Sequence, residues 1–271
     1  MRRPYVAVRL RVEEGERRMR FTVPASTVFK VLLVVVASLT GLSFVLTFID
    51  RGLFASPFPG FERALRLFDV NKEANLPAWF SSSVLLVCSL VLWATARAKS
   101  AVRDRFARHW WVLAAAFLYL SLDELISLHE ATSSMIRARL DVSEAGPLSQ
   151  AWILLAAPLM LLFALAYLRF LIQLPARVKY LTLAAGCTYV AGALGMEVPG
   201  AYVRAEYGSD TFAYAVMTTI EETMEMLGAV IFLYAMAVYA ERDPAQGPSL
   251  APTTWRRRRK PEGPAPPTSR V

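Results

Sequence analysis

Two acidic clusters stand out against an apolar chain. The stretch Thr218-Thr219-Ile220-Glu221-Glu222-Thr223-Met224-Glu225-Met226-Leu227-Gly228 places three carboxylates inside a run, Phe212 to Ala240, that otherwise reads as a membrane-spanning helix. Asp123 and Glu124, with His129 and Glu130, sit in a second such run, and Glu197 lies late in a third. A charged side chain at the centre of a bilayer costs at least ~2.5–3.5 kcal/mol on insertion scales. So many acids persist only where protons, water or a cation offset that cost.

Helical spacing gives the clusters a direction. At ~100° per residue, Glu221 and Glu225 lie one turn apart, with Thr218 and Gly228 on their face and Glu222 beside it. The run around Asp123 reads as one continuous helix, so Asp123, Ser127 and Glu130 share a face, with Tyr119 near it and Glu124 and His129 to either side. Like charges one turn apart repel, and the outer halves of these runs contain no Lys or Arg. Arg137, Arg139, Arg204 and Lys72 are the cations that could reach in from the loops.

Three chemistries fit. In the first, Asp123, Glu124, His129, Glu130, Glu197, Glu221 and Glu225 ligate one or two divalent ions. An oxygen-rich set with one imidazole suits Fe, Mn, Mg or Ca, with Zn also in the candidate set. A bound metal would activate water for hydrolysis or carry redox chemistry on a membrane-embedded substrate. His129 would then be a ligand or general base, and Glu222 a proton carrier beside the metal. In the second, the carboxylates relay protons or bind a cation during transport. In the third, they hydrogen-bond to Tyr, Thr and Ser and fix helix packing. The sequence leaves open whether the protein is an enzyme.

These residues need a scaffold. The chain has 271 residues, 55% of them hydrophobic and 19% charged, with the charges gathered between long apolar runs. Soluble domains carry ~45–50% apolar residues, and here the runs reach helix-spanning length. The expected class is an all-α polytopic membrane protein with six transmembrane helices. Barrel strands would instead show ~10-residue segments of alternating polarity. Cys88 and Cys187 fall inside spans, where small apolar packing is their expected role. Two histidines, His109 and His129, are too few for a histidine-rich metal centre.

The spans run about Val28–Ile49, Trp79–Ala96, Trp110 through the Asp123–Glu130 cluster, Ala151–Tyr167, Tyr180–Val198 and Phe212–Ala240. Asn75 is the expected N-cap of the second, with Pro77 in its first turn. Residues 97–108, 131–150 and 175–179 read as connectors, the second broken at Gly146-Pro147. Gly186, Gly192 and Gly195 let the fifth span approach a neighbour closely. Residues 1–26 alternate polar and apolar on both sides of Glu13-Glu14-Gly15-Glu16, which predicts a basic β-hairpin. Residues 241–271 are Pro-rich, carry Trp255-Arg256-Arg257-Arg258-Arg259-Lys260, and are expected to be disordered. The domains are thus 1–26, 27–240 and 241–271.

With six spans, the two ends share one side. Only Arg51, Arg63, Arg66, Lys72, Arg137, Arg139 and Arg204 of the 30 Lys and Arg fall on the other. The positive-inside rule then puts both termini in the cytoplasm of a bacterial inner membrane. The net charge of +8 and pI near 9.7 reflect this asymmetry and contact with anionic lipid headgroups rather than nucleic acid. Membrane lipids are the expected partners; oligomeric state is not legible. At ~1.5 Å per residue, Glu197 lies ~5 Å below the outer surface, Asp123 ~10 Å, Glu221 and Glu222 ~13–15 Å, and Glu225 ~20 Å. Acids from three spans therefore occupy the outer half, which predicts one shared pocket.

The strings Asn75-Leu76-Pro77-Ala78-Trp79-Phe80-Ser81-Ser82, Ser121-Leu122-Asp123-Glu124 with His129-Glu130, Gly195-Met196-Glu197 and Ile220 to Gly228 resemble those of an uncharacterised group of bacterial six-span membrane proteins. The likeness covers about residues 30–240. It implies a topology and carries no activity with it.

Overall fold

The architecture follows from where apolar runs begin and end. The computed structural model describes residues 5–9, 20–52, 59–140 and 150–242. The expected turn at Glu13–Glu16, the Gly146-Pro147 break and the tail from 243 onward lie outside them.

Strand β1 (Tyr5–Arg9) pairs antiparallel with β2 (Arg20–Pro24), Tyr5 opposite Pro24 and Arg9 opposite Arg20. Residues 10–12 of the expected first strand, Tyr5–Val12, lie outside the described residues. Helix α1 (Ala25–Gly52) starts directly after Pro24. A short α2 (Phe61–Phe68) follows, then α3 (Leu76–Ala101) and α4 (Ala107–Ile126). Next come a short α5 (Leu128–Leu140) and α6 (Ile153–Gln173). Helix α7 (Ala176–Val190), a π-helical turn (Ala191–Met196) and α8 (Glu197–Tyr207) form one continuous segment, and α9 (Phe212–Arg242) ends the described chain. Among the described residues, six segments are long and apolar enough to cross a membrane, starting at Ala25, Leu76, Ala107, Ile153, Ala176 and Phe212. The fold is the expected all-α six-span bundle with a minor hairpin.

Helices α1 and α9 are antiparallel. Phe29 stacks on Tyr234 with ring centres 4.6 Å apart, while Arg51, at the far end of α1, donates to the carbonyls of Ser209 (3.0 Å) and Thr211 (2.8 Å). The end of the bundle near Phe29 and Tyr234 is called the terminal face, and the other the far face. Helix α9 is central, with Met226, Ala229, Val230, Ala235 and Met236 buried against Leu85, Cys88 and Leu92 of α3 and Trp110 of α4. Reciprocal hydroxyl bonds knit α3 to α4: Ser82 Oγ to the Ser121 carbonyl (2.7 Å), Ser121 Oγ to the Ser82 carbonyl (2.9 Å), and Ser89 Oγ to the Ala114 carbonyl (2.8 Å). Such bonds and close small-residue contacts replace the hydrophobic drive that helices lack in lipid.

Helix α6 is held mainly near the terminal face. There Tyr167 donates to the His109 carbonyl (2.9 Å), and Phe170 packs edge-on against Trp110 at 4.9 Å. Toward the far face, Leu154, Leu155, Leu159, Leu161, Leu162 and Leu165 are all exposed.

Three expectations are corrected. The run through Asp123–Glu130 is not one helix: Ser127 takes the left-handed conformation (φ 54°) and ends α4. Its N–H donates to the Asp123 carbonyl (2.8 Å), and the Asp123 carboxylate accepts the N–H of His129 (2.8 Å), which starts α5. Asp123, Ser127 and Glu130 therefore do not line one face. Residues 131–150 are not all loop, since α5 continues to Leu140. The fifth span extends past Val198 to Tyr207, because the π-turn continues the helix without a break.

Candidate metal centre

The far face gathers acids from a loop and three helical segments. Asn75 sets the loop. Its side chain accepts from the Ala78 N–H (3.1 Å), capping α3 as expected, and donates to the carbonyls of Asp69 (2.6 Å) and Arg66 (3.3 Å). Ala74 holds a left-handed φ of 55°, a conformation that costs a residue with a Cβ ~1–2 kcal/mol. The strapped loop presents Glu73 to the start of α5. There Glu73, His129 and Glu130 offer ligand atoms that all lie within 4.8 Å of one another. Glu73 and Glu130 are exposed and His129 is half-buried, so the triad forms a mouth.

Asp123 braces the mouth. Its carboxylate lies 3.1 Å from His129 Nδ1, which leaves Nε2 as the ring nitrogen free to bind a metal. A carboxylate on the far nitrogen fixes tautomer and ring orientation in metal-ligating histidines. On the other side, the Trp152 ring approaches His129 at 5.5 Å, and its buried Nε1–H has no hydrogen-bond partner. An unpaired buried donor costs ~1–3 kcal/mol.

Charge follows this geometry. Burial raises the Glu73 carboxyl, and Glu130 raises it further against the opposing pull of His129. Burial lowers the His129 imidazole. The Asp123 hydrogen bond and charge, with Glu197 and Glu130, outweigh it and carry the group to about 9. A folded-state value above the unfolded 6.5 stabilises the fold below that pH, and the contribution disappears as pH rises through about 9. The metal-free protein should therefore lose thermal stability between pH 6.5 and 9, and His129→Gln should flatten that slope, as melting curves across the range will show.

Behind the mouth lies a second layer. Glu124, near the end of α4, faces Ser81 of α3, with Asp123 and His129 as further electrostatic neighbours. Glu225 accepts from the Tyr189 hydroxyl of α7 and is in electrostatic range of Glu124. Glu222 has Glu124 and Glu225 as its strongest electrostatic neighbours. To one side, the Glu197 and Glu221 carboxyls face each other. They line a small pocket of about 10 Å³ with Gln150, Gly200, Arg204 and Tyr214. Of the cations expected to reach in, Arg204 does so, bonding Tyr214 at this cavity. Arg137 donates to Ser134 (3.2 Å).

Close backbone approach makes this convergence possible. A Cβ on Gly192, in the π-turn, would lie 2.9 Å from the Glu221 carbonyl and 3.1 Å from Glu225 Cγ. On Gly228 it would lie 2.7 Å from Tyr189 Cβ and 2.9 Å from the Ala185 carbonyl. π-turns recur at functional sites, and this one brings Glu197 alongside Glu221.

The sequence-nominated residues thus divide. His129 and Glu130 meet at the mouth, Asp123 braces them, Glu124, Glu222 and Glu225 lie behind, and Glu197 pairs with Glu221 at the flank. Sequence reasoning missed Glu73, Trp152, Ser81 and Tyr189. Glu73 had one usable signal, its place two residues before the Asn75 cap.

A family model described as a domain of unknown function, DUF8692, matches residues 27–240. No curated protein matches the chain, and no solved structure does.

Proposed function

We propose, for a chain that belongs to the DUF8692 family of domains of unknown function, that it is a membrane protein whose far-face mouth binds a divalent metal ion. The convergence of Glu73, His129 and Glu130 within 4.8 Å carries this reading. Two carboxylates and one imidazole suit Mn, Fe or Zn. Asp123 would hold the imidazole in the ligating tautomer, and Trp152 Nε1–H would donate to an acceptor at the metal, such as an anionic oxygen of substrate.

The activity we infer is metal-dependent chemistry, hydrolysis first, on a membrane-embedded substrate. A bound ion lowers the pKa of coordinated water toward ~7. The substrate class is supported by α6, which begins beside His129 at Trp152 and continues into an exposed apolar surface. A hydrocarbon chain lying along α6 would deliver its polar end to the mouth. In this reading both termini face the cytoplasm of a bacterial inner membrane and contact anionic headgroups, and the site opens outward.

A second reading has one specific observation in its favour. The Glu197 and Glu221 carboxyls face each other beside further carboxyls, the kind of acid pair a proton- or cation-coupled carrier would need. Two measurements separate the readings. Purified protein dialysed against Mn2+ or Zn2+ should retain metal, and Glu73→Gln with Glu130→Gln should remove it. Metal content unchanged by that double substitution contradicts the mouth reading. Cation-driven flux in liposomes would favour the carrier.

A further inference from the structure

The corner between α3 and α4 lies on the terminal face, at the opposite end of the bundle from the mouth, and its charge is unbalanced. Residues 97–108 hold Arg97, Lys99, Arg103, Arg105 and Arg108 against one acid, Asp104. Asp104 accepts the Phe106 N–H (2.7 Å) at the start of α4. The four arginines are exposed, and among the described residues none of them meets a carboxylate. Two exposed tryptophans stand on the membrane side of this corner. The Arg97 guanidinium lies 5.0 Å from the centre of the Trp93 ring, one turn back along α3. Trp93 meets Trp111 of α4 edge-on at 6.5 Å, and the Trp111 Nε1–H donates to Ser100 Oγ (3.1 Å), which fixes the pair. Stacking occupies the face of a guanidinium and leaves its in-plane N–H fork for a phosphate. Arg177, elsewhere on the terminal face, donates to the Tyr234 hydroxyl (3.1 Å) instead.

Away from the corner the same surface turns apolar. At ~100° per residue, Leu86, Leu90, Trp93 and Arg97 fall on one stripe of α3, and Trp111 and Leu118 on one stripe of α4. All of these apolar side chains are exposed. The Trp93–Trp111 contact and the Ser89–Ala114 bond (2.8 Å) hold the two helices side by side. Leu86 lies ~16 Å along α3 from Arg97, about the depth of one leaflet of a core ~30 Å thick. Cation, paired indoles and leaflet-deep apolar track thus follow one another in the order of a phospholipid's own parts. We propose that the α3–α4 corner binds one anionic phospholipid. The Arg97 fork and Arg103 take its phosphodiester, the indoles flank its glycerol region, and an acyl chain lies along the apolar stripes. A zwitterionic lipid offers the same phosphate and chains, but the surplus of cations over Asp104 selects a headgroup of net negative charge. The site is separate from the acids of the far face and does not depend on metal.

The test is lipid retention by the full chain, released from nanodiscs of mixed phosphatidylcholine and phosphatidylglycerol and weighed by native mass spectrometry. Wild type should keep one phosphatidylglycerol in preference to phosphatidylcholine. Each cation removed should weaken that retention about five-fold, so Arg97→Gln with Arg103→Gln should nearly abolish it. Arg97→Lys keeps the charge but loses the stacked fork, and should retain less than wild type. Arg63→Gln with Arg66→Gln, which takes two exposed cations from α2 on the far face, should retain as much as wild type. Matching melting curves exclude misfolding as the cause. Retention that ignores headgroup charge would reduce the corner to ordinary contact with bulk lipid and overturn the proposal. So would equal losses in the α2 pair and the corner pair, or wild-type retention in the corner pair. Displacement of the lipid by inorganic phosphate alone would also overturn it, by showing a site for a free anion.

Discussion

Replacing His129 with alanine should weaken Mn2+ or Zn2+ binding at the mouth by at least ~100-fold. The reasoning starts from its brace: loss of an outer partner of a metal-bound histidine costs ~10–100-fold in affinity, and loss of the ligand itself exceeds that. Asp123→Asn supplies the graded comparison. The amide keeps the shape but not the charge that holds the ring, so it should fall within that ~10–100-fold window. Asp123 also accepts the His129 backbone N–H (2.8 Å), where α5 begins. A nearly isosteric amide oxygen can still accept that bond, so the fold at Ser127 should survive. Titration calorimetry of both variants checks the order. A loss in Asp123→Asn equal to that in His129→Ala would mean that Asp123 is itself a ligand.

The second large effect belongs to Gly228→Ala. Its added Cβ would meet Tyr189 Cβ at 2.7 Å, Tyr189 N at 2.8 Å and the Ala185 carbonyl at 2.9 Å. Backbone atoms of α7 cannot rotate away as a side chain can, so α7 and α9 must separate. Overpacking of this kind costs ~1–3 kcal/mol and occasionally more. The consequence reaches the site, because Tyr189 donates to Glu225 from the same contact. The variant should melt lower than wild type and hold less metal, while Gly186→Ala, whose Cβ meets nothing within 4 Å, should match wild type. Thermal melts of the two side by side decide it.

The bundle was readable because span length is set by bilayer thickness, and uninterrupted runs such as Val31 to Ile49 leave no other solution. Counting residues from each span edge also puts Glu197, Glu221 and Glu225 in the same half of the bundle, though at depths of ~5, ~13–15 and ~20 Å. Other features resisted the same logic. Leu122-Asp123-Glu124-Leu125-Ile126-Ser127-Leu128-His129-Glu130 contains no Gly or Pro, and nothing local announces the left-handed Ser127. The break is made by Asp123 bonding forward to His129, a tertiary choice written in one side chain. Glu73 was hidden for the opposite reason. It lies in a loop, where acids are common, and only the Asn75 bonds to Asp69 and Arg66 fix where it ends up. Trp152 looks like an ordinary membrane residue until its ring is placed beside His129.

The central claim is that acids from separate elements converge to hold metal on the far face. Crystals of the full chain soaked with Mn2+ and measured near the manganese absorption edge test it most directly. The account predicts an anomalous peak within ligand distance of Glu73, His129 and Glu130. Peaks confined to surface positions away from these residues, or a histidine turned from Asp123 with no density beside it, would contradict it.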